Sequence, residues 1–127
     1  MSASEPAIDL EHLHQYTGDD LNLEKEIYSL FREQVRMWLR MLVADADNEA
    51  WSSAAHSLKG SARGLGAHKL AAACETAEAV ILSGQAARAV AATEVRTQVD
   101  QVTHFIDKRL YKMQIQDLRK PSQASNS

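Results

Sequence analysis

Four residues in the segment AAHSLKGSARGLGAHKL can act together on an anionic group: His56, Lys59, Gly60 and Arg63. An exposed imidazole keeps a neutral fraction at physiological pH, and its free ring nitrogen is then a nucleophile. The Lys59 ammonium, one helical turn away, suits a phosphoryl group as charge arrives on it, and the Arg63 guanidinium suits the same task from further along. At about 100° per residue, Trp51, Ala55, Leu58, Ala62 and Leu65 gather on one side of such a helix. With Trp51 at the origin, Lys59 falls at roughly 80°, Arg63 at roughly 120°, His56 at roughly 140° and Gly60 at roughly 180°, so all four turn outward. A mid-helix glycine costs about 1 kcal/mol relative to alanine and packs nothing. What Gly60 supplies is room, one turn beyond His56, for another protein's surface to reach the imidazole.

Gly64 and Gly66 read differently, as helix-ending and turn residues, because the spacing of a nucleotide-binding loop is absent. His68 reads as a surface residue after that turn. His12, His14 and His104 belong to other elements and have no compelling partner in the sequence.

The elements that must carry this face are helical. The chain has 127 residues, 45% of them hydrophobic, with two prolines and five glycines, which suits one domain with one core. Asp9 suits the N-cap of a short first helix closing near Gly18. From Leu21 to about Val43, Ile27, Leu30, Phe31, Gln34, Val35, Trp38 and Leu42 recur every three or four residues and predict a long helix with one buried face. Asp45 and Asp47 are N-cap candidates for a third helix over 48–65. A fourth helix is predicted from Ala67 to about Ser83, burying Leu70, Cys74, Ala77 and Ile81 and ending at Gly84. A fifth runs from about Ala86 past Leu110 on the apolar series Val95, Val99, Val102, Ile106 and Leu110. Short connections make these neighbours antiparallel. The fold class is all-α, an antiparallel up-and-down four-helix bundle with a short extra N-terminal helix. Residues 1–8 are expected to be a flexible N-terminus, 9–112 the bundle domain, and 113–127 a helix extension followed by a disordered polar tail.

Charge and composition narrow the partners. A net charge of −3 offers no broad positive field for nucleic acid or an anionic membrane. The opening MSASEPAIDLEHLHQYTGDD carries acidic residues where a secretory signal needs a basic start and an apolar run, so a cytoplasmic location is expected. The lone Cys74 reads as a buried thiol.

The stretch AHSLKGSARGLGAHKLAAACETAE resembles the signature of the histidine-containing phosphotransfer (HPt) domain of phosphorelays, through His56, Leu58, Lys59, Gly60, Ala62, Gly66, Ala67, Leu70, Cys74 and Glu78. The segments LFREQVRMWLRML and DNEAWSSAA fit that family's second and third helices. The resemblance implies that His56 is phosphorylated, that Lys59 assists the phosphoryl group and that Gly60 permits a receiver domain to dock. The group would arrive from an aspartyl phosphate on one receiver and leave for the aspartate of another. Expected partners are the receiver domains of response regulators and of a hybrid histidine kinase, with Ser52, Ser57 and Arg63 at the contact. Magnesium then belongs to the receiver, and no cofactor or metal is called for in this chain. Arg63 stands where many relatives carry small or polar residues, and a role in docking is assigned to it. No Gly-rich nucleotide loop or paired acidic metal motif appears, so a monomeric phosphoryl carrier is expected and not an autonomous kinase.

Two other functions suit a helical bundle. A core metal or haem needs ligands on facing helices, yet His12 and His14 are two apart and no HExxH or paired ExxH motif occurs. A non-catalytic adaptor would use an exposed helix face with His56 incidental.

Overall fold

The structure, a computed structural model, describes residues 5–119. Five helices follow one another: α1 (Leu10–Thr17), α2 (Leu21–Met41), α3 (Asn48–Leu65), α4 (His68–Ala79) and α5 (Gln85–Arg119). Aspartates start the first three. Asp9, Asp20 and Asp47 each accept a hydrogen bond from a backbone N–H three residues on, filling positions that a helix start leaves without an intrahelical partner. Of the two candidates before α3, Asp47 is the cap and Asp45 is not.

Helices α2 to α5 form the antiparallel bundle, and α1 lies against α2 and α3. The core holds Tyr28, Phe31, Trp51, Leu58, Leu70, Val95, Ile106 and Met113. On α2 the buried positions are Glu24, Tyr28, Phe31, Val35 and Trp38. Leu30, predicted to be buried, is instead 52% exposed, because it stands at the edge of this face beside α1 and α3. Glu24 is the charged exception inside. It accepts hydrogen bonds from Arg109 at 2.8 and 3.2 Å and from Tyr28 at 2.5 Å, and contacts His14 Nε2 at 2.9 Å. Burial opposes its charge, but these partners outweigh the burial and hold its carboxyl below the usual range.

Helix α4 stops at Ala79, four residues before the predicted end at Ser83. The Ala77 carbonyl, which a continued helix would offer to Ile81, accepts the buried Trp51 indole N–H at 2.7 Å. The Ile81 carbonyl is taken by the Arg88 guanidinium, which also reaches Ala44 O, Ala46 O and Asn48 Oδ1 and lies 4.9 Å over the Trp51 ring. Those competing acceptances unwind the last turn, and Ile81 is only half-buried. At the other end α5 continues through 113–119 with Met113 buried, so packing runs past the boundary at 112. Packing also reaches ahead of Asp9: Ile8 is fully buried, anchored by the Asp9 N–H on the Gly66 carbonyl at 2.9 Å. The tail after Arg119 lies outside the described residues.

Gly66 fixes the turn from α3 into α4. Its φ is +79°, and a Cβ there would stand 2.7 Å from the Asp9 carbonyl oxygen and 3.3 Å from His12 Cβ. Gly66→Ala is therefore expected to cost on the order of 2–3 kcal/mol, combining left-handed strain with a backbone clash. A urea titration measures the loss, and amide exchange should rise first over 8–17 as α1 loosens.

Candidate functional site

Helix α3 buries Trp51, Ala54, Ala55, Leu58, Ala62 and Leu65, the face that the periodicity predicts. Its opposite side carries His56, whose side chain is 75% exposed. Gly60, one turn on, is also exposed, and a methyl group added to it would meet no atom within 4 Å. The fold itself makes no use of this glycine.

The flank of α3 that faces α4 is charged. Lys59 is not the free ammonium that the sequence suggests: its side chain is 16% exposed, and Nζ donates to Glu78 Oε1 at 2.5 Å. The other carboxylate oxygen, Oε2, stands 3.4 Å from His56 Nδ1, longer than an ordinary N–H···O bond. One carboxylate thus joins the cation and the imidazole. The Lys59 hydrogen bond, more than the opposing burial, holds the Glu78 carboxyl below its usual range, and His56 adds to the effect. Beneath them, burial and then the Glu78 charge push the Cys74 thiol up to about 12, an inert group. One turn further on, Arg63 pairs with Glu75 at 3.4 Å across an exposed edge.

A carboxylate only accepts hydrogen bonds, so the contact with Glu78 favours the proton on Nδ1 of a neutral His56. Nε2 is then the nitrogen with the free lone pair, directed away from Glu78. The carboxylate that touches this histidine stands on α4, across from α3, where spacing along α3 does not reach. Glu78 lies within the quoted signature without an assigned task, yet its position was recoverable. In two helices running in opposite directions about Gly66, bases at 59 and 63 meet acids at 78 and 75.

Of the other predicted contact residues, Ser52 is exposed one turn before His56 and Ser57 is half-buried. Gly64 does not end a helix: it lies inside α3, exposed, and the terminating glycine is Gly66 alone. The histidines expected to lack partners largely have them. His12 Nε2 lies 3.0 Å from the Arg63 carbonyl, His14 contacts Glu24, and His68 Nε2 lies 3.3 Å from Asp9 Oδ2. They fasten α1 to the bundle. All five histidines are exposed or half-buried, so none offers a ligand to the core, which speaks against a metal or haem held between facing helices.

Residues 26–119 match the family described as the Hpt domain. Among solved structures, the histidine phosphotransferase ShpA from Caulobacter crescentus is similar, with a TM-score of 0.73 and 30% identity over 89% of this chain and 99% of that one. The histidine-containing phosphotransfer protein ZmHP2 from maize shares the fold, with a TM-score of 0.75 and 19% identity over 91% of this chain and 90% of that one. No curated protein sequence matches the chain. The chain belongs to the Hpt domain family, and its function is histidine phosphotransfer within a phosphorelay.

The lowered Glu78 carboxyl sets a pH prediction. A carboxylate depressed in the folded state stabilises the fold above its ordinary range, and that contribution fades as pH falls through the lowered value. The difference in thermal midpoint between wild type and Glu78→Gln should be largest near neutrality and shrink on acidification. In the same variant, ¹⁵N shifts of the His56 ring should move away from the Nδ1–H tautomer.

Proposed function

We propose that His56 is the phosphorylated residue and that Nε2 is the atom that accepts the group. The observation that carries this reading is an imidazole open to solvent, contacted at Nδ1 by a carboxylate and followed one turn later by a bare glycine. In the transfer, the Nε2 lone pair attacks phosphorus in line, an N–P bond forms, and the P–O bond to the donor aspartate breaks. The aspartate leaves with the bonding pair as a carboxylate. The ring gains positive character, and Glu78 facing Nδ1 offsets it. Return transfer to a second aspartate reverses these changes.

Lys59 neutralises charge on the phosphoryl oxygens. Its tie to Glu78 leaves a cation held in place beforehand, so little reorganisation is needed when the oxygens arrive. Gly60 admits the receiver's surface, with Ser52, Ser57 and Arg63 at the rim of the contact. The partners are receiver domains of response regulators and of a hybrid histidine kinase. The chain works as a monomer in the cytoplasm and does not phosphorylate itself from a nucleotide.

His56→Gln is expected to abolish labelling by receivers loaded with radioactive phosphoryl groups, while its circular dichroism stays that of wild type. Labelling that persists in His56→Gln would refute the assignment. Gly60→Gln should remain folded and slow transfer at least tenfold in rapid-quench kinetics, since its side chain enters the space that the receiver must occupy.

A further inference from the structure

The α2–α5 side of the bundle carries charges that neither the fold nor the transfer site uses. A groove of about 340 Å³ runs between these two helices. Its α2 wall presents Arg32 and Arg36, and its α5 wall presents Asp100 and Asp107. Spacings of four and seven residues keep each pair on one face of its helix. Val35, Leu39 and Val99 lie between the walls. One wall is therefore basic, the other acidic, and the strip between them apolar.

Arg32 pairs with Asp107 across the groove, with side chains 37% and 66% exposed. A pair so open to solvent adds little stability. Arg36 and Asp100 are exposed and form no ion pair among the described residues. The charges beyond either end are already spent, Arg109 on Glu24 and Arg96 on the Leu39 and Leu42 carbonyls. What remains is about 12 Å of groove whose charges are weakly used or unused. A nucleic acid or an anionic membrane would meet the acidic wall, and a polybasic segment would meet the basic one, so a uniformly charged occupant is opposed on one side. An α-helix with an apolar ridge, acidic along one edge and basic along the other, is opposed on neither. Flanking charges of that kind select partners in coiled coils. The groove also lies away from the transfer face: α3 packs against α2 and α4 and makes no contact with α5, so α5 stands diagonally across the bundle from the helix that bears His56.

We propose that the α2–α5 groove seats an amphipathic helix of a second protein, with its acidic edge on Arg32 and Arg36 and its basic edge on Asp100 and Asp107, and that His56 stays open while the groove is filled. The incoming carboxylate takes the place of Asp107 on Arg32, the incoming cation takes the place of Arg32 on Asp107, and Arg36 and Asp100 gain partners. Val35 and Val99 are already 4% and 3% exposed in the free protein. Charge therefore carries most of the contact, which makes it transient and sensitive to salt.

The test uses the full ¹⁵N-labelled chain and three synthetic helices of about three heptads that share one apolar ridge. The first has Glu along one edge and Lys along the other, the second has Glu on both edges and the third Lys on both. The mixed peptide should shift backbone amides over 32–39 and 96–107 and bind at least tenfold tighter than the other two, and its affinity should fall at least tenfold in about 0.5 M salt. Arg36→Glu and Asp100→Lys, each at an exposed position without an ion pair, should keep the wild-type thermal midpoint and weaken the mixed peptide at least fivefold. Exchanging both walls, with Arg32→Glu, Arg36→Glu, Asp100→Lys and Asp107→Lys together, should restore affinity to within threefold, because the peptide then seats end for end. Labelling of His56 by phosphoramidate should stay within threefold when the mixed peptide is saturating, and a greater loss overturns the independent access. Equal binding of the three peptides, shifts centred outside the groove, or wild-type affinity in both single variants overturns the proposal. Shifts over the same amides that follow protein concentration alone would make the occupant a second copy and overturn it as well.

Discussion

The left-handed turn at Gly66 is the constraint on which the site depends, although it lies three helical turns from His56. It sends α4 back along α3 with its backbone against the start of α1, at a separation that leaves no space for a side chain. Everything on the α4 side of the imidazole follows from that reversal. Once α4 runs antiparallel to α3, Glu75 and Glu78 come alongside Arg63 and Lys59, and Trp51 reaches the Ala77 carbonyl. The same turn gives α1 its seat through the Asp9 amide on Gly66 O and the His12 ring near Arg63 O.

The shared Glu78 carboxylate shows why this reversal matters to chemistry. A lysine in water is a mobile cation, and fixing it in one place costs side-chain entropy. Here the cost is met on folding, because Lys59 is mostly buried and already bonded to Glu78. The imidazole is treated in the opposite way. It stays in solvent, restrained through a long contact at Nδ1, so Nε2 gives up little hydration to the protein. A single carboxylate thus orders the cation and biases the tautomer of the imidazole.

The helices and the outward face were legible in the sequence because both depend on local periodicity. The limits of α3, the cap Asp9 of α1, and the shared face of His56, Gly60 and Arg63 follow from local spacing, which leaves Asp45 and Asp47 both open as the cap of α3. What the spacing does not carry is the partner across the gap. Lys59 reads as free until α4 is placed beside it, and the histidines of α1 read as idle until Glu24, Arg63 and Asp9 are brought to them. The early end of α4 belongs to the same category. Its last turn has helical composition, and it is lost to acceptors claimed by Trp51 and Arg88 from other helices. Leu30 illustrates the complementary limit, since a wheel assigns it to an apolar stripe but does not say where the core stops.

The two flanks of α3 differ in chemistry. On the α4 side, Lys59 and Arg63 are paired with Glu78 and Glu75. On the α1 and α2 side the surface is uncharged, lined by Leu13, Tyr16, Ile27, Leu30 and Phe31. An adaptor without chemistry would need the apolar flank only, and a general phosphate binder only the charged one. His56 stands on the outward side of α3 between the two flanks, exposed, with the bare backbone of Gly60 one turn on, so neither flank of the protein's own surface closes over the imidazole.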